Sequence, residues 1–494
     1  MMRRLFNPLR TIATLLLAVL VAVVAIVAYN AVNLRSRQVT VAPLAPLPFD
    51  TEAAAGRLAT AIRFKTVSDA AAPDQNADAF MKLHAHIAAS FPAFHAATRR
   101  EVVGRYSLLY TWEGSDPKAP PIALLAHQDV VPIAPGTEQD WQVPPFDGVV
   151  RDGFIWGRGA WDDKGSLFGI LEAAESLAKA GFHPRQTIYF AFGHDEEVSG
   201  QRGAKAIADL LASRGIKLDF VLDEGLLILD GVLRGVNKPV ALIGVAEKGY
   251  ATLNLKVSAT PGHSSLPPKQ TAIGMMSAAL ARLEQNQMAS QLRPPLPEML
   301  ETLAPEMDLV NRAVLSNLWL FKPLVLQQFA RSPNTDAAIR TTTALTMFNA
   351  GNKDNVLPGN AEATVNFRLL PGDTQASVIE HVRETIDNAK ISIDPAAGNG
   401  NPPPITGTAS FAYRALNQTI REVFPDVLVA PSLLTAATDS RNYVNVTDKV
   451  FRFVPVRAKP ADLSRFHGTN ERLSVDNYGD IIRFYRRLLQ NVAS

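Results

Sequence analysis

Compact apolar runs bounded by Gly and Pro alternate, along the first half of the chain, with stretches of helical period. Residues 107–112, 121–126, 187–192 and 220–222 are such runs and predict buried strands. Residues 52–64, 78–89, 166–180 and 203–213 carry apolar positions at helical spacing. Strands alternating with helices predict an α/β fold with a mostly parallel central sheet and helices on both faces. Near Lys248 the pattern changes. Residues 250–257, 341–349 and 361–369 alternate in polarity as one-sided strands do, and 271–283 and 375–388 read as helices. The order β-α-β-β-α-β predicts an inserted α+β unit over 248–400. Within it, the Pro-rich and partly helical stretch 291–336 reads as an excursion. After a Gly/Pro/Asn linker at 399–404 the chain returns to α/β character and ends in a helix, 477–489. The α/β body is thus expected in two parts, 51–247 and 401–494.

The N-terminal pattern is of another kind. Residues 11–34 hold 24 uncharged positions rich in Ala, Val and Leu. A helix needs about 20 apolar residues to cross a bilayer core, whereas a signal-peptide core is shorter, about 7–15. No convincing small-x-small cleavage site follows, so a single uncleaved transmembrane signal anchor is expected. Arg3, Arg4 and Arg10 precede it, which places residues 1–10 in the cytoplasm and the body outside. Arg35 and Arg37 oppose that bias. Residues 35–50, with Pro43, Pro46 and Pro48, read as an extended linker.

Composition narrows the chemistry. With 494 residues, 47% hydrophobic and 19% charged, the chain can fold two or three cored domains. A net charge of +2 gives no reason to expect nucleic acid as a partner. The absence of cysteine excludes disulfides, thiolate zinc sites and a cysteine nucleophile. Neither Gly-x-Ser-x-Gly nor His-Glu-x-x-His occurs, which disfavours a serine hydrolase and a single-zinc gluzincin.

What stands out is how the apolar runs end. The run 121–126 leads into His127-Gln128-Asp129, 187–192 into His194-Asp195-Glu196-Glu197, and 220–222 into Asp223-Glu224. Between the first two, Gly157-Arg158-Gly159 leads into Asp162-Asp163. In open α/β sheets ligands bind beyond the carboxyl ends of the strands. Carboxylates and imidazoles gathered there repel one another and lose hydration, and divalent cations make such a cluster stable. A histidine at a strand end is also commonly structural, and an acidic pair before residue 166 can simply cap a helix. Asp129, two residues after His127, shares its side of an extended chain and can fix the imidazole tautomer. Of two adjacent glutamates, one can bind metal while the other takes a proton from water. These features point to a metal-dependent hydrolase.

The motifs Leu-Ala-His-Gln-Asp-Val-Val-Pro (125–132), Gly-Arg-Gly-Ala-Trp-Asp-Asp-Lys-Gly (157–165), His-Asp-Glu-Glu-Val-Ser-Gly (194–200), Leu-Asp-Glu-Gly (222–225), Pro-Gly-His-Ser-Ser (261–265) and Phe-His-Gly-Thr-Asn-Glu (466–471) together resemble those of the M20 metallopeptidases, over about residues 51–494. Within that family the chain is most similar to the carboxypeptidase S group and its N-acyl-amino-acid hydrolase/synthase relatives. The resemblance implies two zinc ions held by His127, Asp162, Glu197, His467 and one of Asp223 and Glu224. Asp162 would bridge them, with the Asp162–Asp163 peptide cis. It implies Glu196 as general base and Asp129 as the group that orients His127. The insertion 248–400 would be the family's lid, which can also form a homodimer. From it His263 would polarise the scissile carbonyl, often across a dimer, while Asn355 and Arg368 would hold a substrate carboxylate. The loop with Asp439 and Arg441 would line the site. The implied reaction is release of an amino acid from a small peptide by cleavage of the amide beside a free C-terminal carboxylate. The alternative is hydrolysis or synthesis of N-fatty-acyl amino acids, which the anchor and the apolar stretch Leu318–Phe329 suit. A catalytically dead, membrane-tethered binding protein is the remote reading, and the filled ligand positions speak against it.

Overall fold

The apolar runs assemble into one mixed eight-stranded sheet in the computed structural model, which describes residues 8–45 and 49–494. Arg3 and Arg4, and Pro46 and Pro48 of the linker, lie outside the described residues. In spatial order the strands are Arg99–Val103, Ser107–Trp112, Ile188–Gly193, Ile122–His127, Val221–Leu229, Val450–Ala458, Val240–Glu247 and Leu428–Leu434. Ile122–His127 runs parallel to both of its neighbours, and Val450–Ala458 runs parallel to Val221–Leu229. Antiparallel pairing occurs at Ser107–Trp112 and between Val450–Ala458 and Val240–Glu247.

Helices cover both faces, so the strands are apolar at successive positions rather than at alternate ones. Leu124, Phe190, Leu222 and Phe451 point into a large core shared with the helices Thr51–Ile62, Lys164–Lys179, Phe411–Val423 and Val475–Ala493. Their neighbours Ala123, Leu125, Ala191 and Val221 point the other way, onto the helix Ala204–Ser213. Each such Leu, Val or Phe contributes about 1.5–3 kcal/mol by leaving water. The expected strand at 220–222 is in fact nine residues long, Val221–Leu229. The acidic pair interrupts the apolar run without ending the strand, because Leu226–Leu229 resumes it.

Between the strands Val240–Glu247 and Leu428–Leu434 the chain forms a second, antiparallel sheet in the order Thr342–Ala350, Asn360–Leu369, Gly249–Ser258, Ile391–Pro395. Its polar alternation is real: Ala251, Leu253, Leu255 and Val257 are buried against the helices Ala272–Gln285 and Gln375–Ile386, while the intervening residues are half-buried or exposed. The Pro-rich excursion folds into the helices Leu296–Leu303, Leu309–Leu315, Leu318–Phe329 and Pro333–Asp336. At the joint between the sheets, Lys248 is buried and its Nζ donates to the carbonyls of Ala337 and Arg340 at 2.8 and 2.9 Å. Among the described residues, one helix, Pro8–Asn33, is long and apolar enough to cross a membrane.

Candidate metal centre

His127 is the last residue of its strand, placed opposite Gly193 of the neighbouring strand. Its Nδ1 lies 2.9 Å from the Asp129 carbonyl oxygen. A carbonyl only accepts, so Nδ1 carries a proton and Nε2 is the nitrogen turned to the cluster, where it hydrogen-bonds Asp162 and would give its lone pair to a metal once deprotonated. That Nε2 is 2.9 Å from Asp162 Oδ1 and 3.7 Å from Glu224 Oε1. On the other side, His467 Nε2 is 2.7 Å from Asp162 Oδ2 and 3.4 Å from Glu197 Oε1. Each oxygen of Asp162 thus faces a different imidazole, and the Asp162–Asp163 peptide is cis. Ligand atoms of His127, Asp162 and Glu224 lie within 4.8 Å of one another, as do those of Asp162, Glu197 and His467. Glu196 joins His127 and Glu197 in a third such group.

Buried hydrogen bonds hold these side chains in place. Asp129 accepts from Ser68 Oγ at 2.6 Å and from the backbone N–H groups of Glu196 and Glu197 at 3.2 and 3.1 Å, so it ties the glutamate turn to the His127 strand end. Asp223 and Glu224, adjacent in one strand, point to opposite faces and divide their work. Glu224 faces His127 and Asp162, whereas Asp223 accepts from the N–H groups of Glu224 and Ser440 at 2.9 and 2.7 Å. Glu471 was quoted in a motif but given no role by sequence reasoning. Its Oε1 accepts from the N–H groups of Gly159, Trp161 and Asp162, and its Oε2 lies 2.6 Å from Arg158 Nη1. Arg158 Nη2 in turn donates to the carbonyls of His467 and Gly468 at 3.1 and 3.2 Å. One buried ion pair therefore joins the Asp162 loop to the His467 loop. Gly159 takes φ +89°, and a Cβ there would meet Val130 Cγ1 at 2.8 Å, so this loop needs glycine. Lys164, also missed, is fully buried and donates from Nζ to the carbonyls of Ala61 and Phe64. Burial pushes its pKa down to about 7.

The electrostatics ask for cations. Burial raises Glu196 and Glu224 well above the usual carboxylate range, and nearby carboxylates add to the shift. Glu197 is raised for the same reason, against the pull of His467. Burial also works against Asp162, but hydrogen bonds from His127 and His467 outweigh it and hold this carboxylate low. His467 is pushed up to about 10 by Asp162 and then Glu197. Four carboxylates and two imidazoles make up these groups, and Glu197 Oε1 is buried without a hydrogen-bond partner. A buried oxygen- and nitrogen-donor set in which Glu197 Oε1 meets only the 3.4 Å contact with His467 suits divalent cations.

The remaining expected residues are placed less centrally. His263 is exposed on the two-residue strand Gly262–His263, which pairs with Val356–Leu357, and its Nδ1 lies 2.8 Å from Ser265 Oγ. Asn355 is exposed beside it, and its carbonyl accepts from Ser264 N–H at 3.1 Å. Neither hydrogen-bonds to the metal-type cluster. Arg368 is half-buried with its guanidinium 4.9 Å from the Tyr250 ring centre, in the field of Arg441 and Glu247. Arg441 donates to the Ser199 carbonyl at 3.3 Å. Asp439 is buried, its Oδ1 has no hydrogen-bond partner, and burial beside Asp223 raises its pKa. His194, despite its place in the glutamate motif, is not brought to the cluster. It packs between Phe80 and Tyr106, with Nδ1 2.6 Å from Ser107 Oγ.

The family model described as Peptidase family M20/M25/M40 matches residues 123–491. An N-fatty-acyl-amino acid synthase/hydrolase of Xenopus tropicalis is 45% identical over 435 residues, covering 87% of this chain and 84% of its own. "Probable carboxypeptidase S-like 2" of Dictyostelium discoideum is 42% identical over 447 residues, covering 88% and 84%. The crystal structure of an M20 family metallo-carboxypeptidase from Sulfolobus solfataricus superposes with a TM-score of 0.65 at 17% identity, covering 88% of this chain and 99% of that one, a likeness of fold. The chain belongs to the M20 peptidase family of metal-dependent hydrolases, beside its carboxypeptidase S-like and N-acyl-amino-acid synthase/hydrolase members.

Proposed function

We propose that this chain hydrolyses an amide bond next to a free carboxylate and releases an amino acid. The observation that carries the reading is the pair of imidazole–carboxylate groups that share Asp162, with Glu196 at their edge. His127, Asp162 and Glu224 would hold one zinc ion; Asp162, Glu197 and His467 would hold the second. Bound there, the ions would acidify water and polarise the scissile carbonyl. Asp223 supports this arrangement from behind through its backbone hydrogen bonds. Glu196 acts as general base: it takes the proton of the attacking water and returns it to the leaving amine. Asp129 keeps His127 in the tautomer that presents Nε2.

The body formed by 51–247 and 401–494 is proposed to be catalytic and 248–400 its lid. His263 and Asn355 stand together on an exposed ribbon of that unit. They would reach substrate when the lid closes, or from a partner copy in a homodimer. Arg368 and Arg441 supply guanidinium charge for the substrate carboxylate, with Asp439 shaping the same loop. Pro8–Asn33 is proposed to anchor the enzyme in a membrane with its body outside the cytoplasm.

The acyl group distinguishes two forms of the reading. A peptide substrate makes the enzyme a carboxypeptidase or dipeptidase. A fatty acyl group is supported by the 45% identity to an N-fatty-acyl-amino acid synthase/hydrolase, as a peptide is by the 42% identity to a carboxypeptidase S-like protein, and it leaves the site chemistry unchanged, including its reversal to synthesis. The test uses the full chain in detergent with zinc, and two substrates that share one C-terminal amino acid. One carries a second amino acid and the other a fatty acyl chain. The faster substrate decides between the two forms, and cleavage of neither with any added divalent metal refutes both.

A further inference from the structure

The apolar N-terminal helix does not stand clear of the body. Its last turns dock on the helix Leu309–Leu315 and on Asn317, the residue that joins it to the helix Leu318–Phe329. Asn317, fully buried between these two, accepts at Oδ1 from Asn30 Nδ2 at 2.8 Å and donates from Nδ2 to the Val27 carbonyl at 3.2 Å. Arg312 Nη2 donates to the carbonyls of Val32, at 3.3 Å, and of Leu34. A helix C-terminus leaves carbonyls unpaired and carries partial negative charge, so a guanidinium is well placed there. The point where the apolar helix ends is thereby fixed relative to this helix pair.

The outside of the pair is apolar too. Leu309, Val310, Trp319, Leu320 and Leu324 are 40–73% exposed. The inner side of Leu318–Phe329 is used up, since Leu318, Val325, Leu326 and Phe329 pack with Leu296 and Leu300. Leu320 and Leu324 project from the opposite side together with Gln327 and Gln328, and Trp319 is exposed on the flank. A helix with apolar residues on both sides is at home inside a core or at a lipid surface, and none of the described residues covers the outer side here. At 12 residues the helix is about 18 Å long, against a hydrocarbon thickness of about 30 Å, so it is too short to cross but can lie along the interface. Trp319 points its ring outward while its Nε1 donates to Asn317 Oδ1 at 3.1 Å, the amphipathic posture of an interfacial tryptophan. Lys322, exposed on the same helix, has the reach to keep its charge in the headgroup layer.

We propose that Leu309–Leu315 and Leu318–Phe329 lie in the headgroup–acyl boundary of the bilayer crossed by Pro8–Asn33, as a second membrane contact that holds the enzyme body in one orientation. The inference rests on the anchor reading given above. Contiguity with the docked anchor is what makes a lipid surface, rather than another protein, the occupant.

Trp319 provides its own readout. The other four tryptophans, Trp112, Trp141, Trp156 and Trp161, are at most 8% exposed, and the helix Pro8–Asn33 contains none. The full chain is reconstituted in phosphatidylcholine vesicles with and without dibrominated acyl chains, as wild type and as Trp319→Phe. The Trp319 component is the difference between the two proteins. Brominated lipid should reduce it at least twofold, while aqueous iodide leaves it unchanged. Quenching by iodide alone would show the ring in water, and quenching by neither would show it covered by protein; either result overturns the proposal. Failure of both proteins to float with the vesicles would refute the anchor as well, whereas absent bromine quenching in floating protein refutes only the second contact.

Discussion

Replacing Glu471 by Gln tests whether one buried carboxylate holds the two ligand loops in register. The side chain keeps its shape and one acceptor oxygen for the N–H groups of Gly159, Trp161 and Asp162, but loses the charge 2.6 Å from Arg158 Nη1. Arg158 is 2% exposed and Glu471 0%, so the guanidinium is left buried without its counterion. Removing one member of a buried pair costs about 3–5 kcal/mol. Part of that cost falls on the proposed metal ligands, because the bonds of this pair run to the backbone of Asp162 and His467. Groups that support ligands from behind typically change metal affinity about 10–100-fold. Zinc competition against a chromophoric chelator should therefore show Glu471→Gln binding about 10–100-fold more weakly, with kcat recovered near wild type at saturating zinc. The apo protein should also unfold at lower denaturant. Replacing both Arg158 and Glu471 by Met should cost less than the sum of the two single Met substitutions, since each single variant leaves one orphan charge and the double leaves none. Zinc affinity within twofold of wild type and an unchanged unfolding midpoint would refute the reasoning, as would simple additivity of the single Met substitutions.

Glu196→Gln should retain zinc stoichiometry while kcat falls about 10²–10⁴-fold, and a near-normal rate in the zinc-loaded variant excludes Glu196 as the base. Metal analysis separates the adjacent acids. Glu224→Ala should bind one zinc fewer than wild type, whereas Asp223→Asn should keep the count, and the reverse outcome would exchange their assignments. Far from the site, burial works against the Glu422 carboxylate, but hydrogen bonds from Arg487, Gln418 and Asn491 hold its pKa at about 2. Because the folded value lies below the unfolded one of about 4.3, its contribution is complete above pH ~4.3 and is lost as pH falls toward the folded value. An acid titration of the unfolding midpoint should be flatter over that window in Glu422→Gln, and an unchanged slope would count against this linkage.

How much of the site could be read from the chain depends on how each residue is held. His127, Glu196 and Glu224 follow apolar runs that become three adjacent parallel strands, so the hydrophobic pattern carries them toward the carboxyl ends at the middle of the sheet. Choosing between Asp223 and Glu224 needs coordinates, because the choice turns on which carboxylate the Ser440 N–H occupies, 217 residues away. The same holds for Arg158 and Glu471, whose contact spans 313 positions and leaves no periodic trace. Glu224 shows why the strand reading fell short at 220–222. A run tuned to find burial stops at the first charge, yet here the strand continues through two acids because His127 on the neighbouring strand faces Glu224, while the N–H groups of Glu224 and of Ser440 in a distant turn satisfy Asp223. The helix Leu318–Phe329 misleads in the opposite sense. Its run of apolar residues suits a soluble core as well as a membrane surface, and the outward-facing Trp319 separates the two only once Asn317 is seen to bind both the indole and the end of the N-terminal helix. Residues of the candidate site are thus legible where a local pattern places them, and hidden where a distant polar partner does.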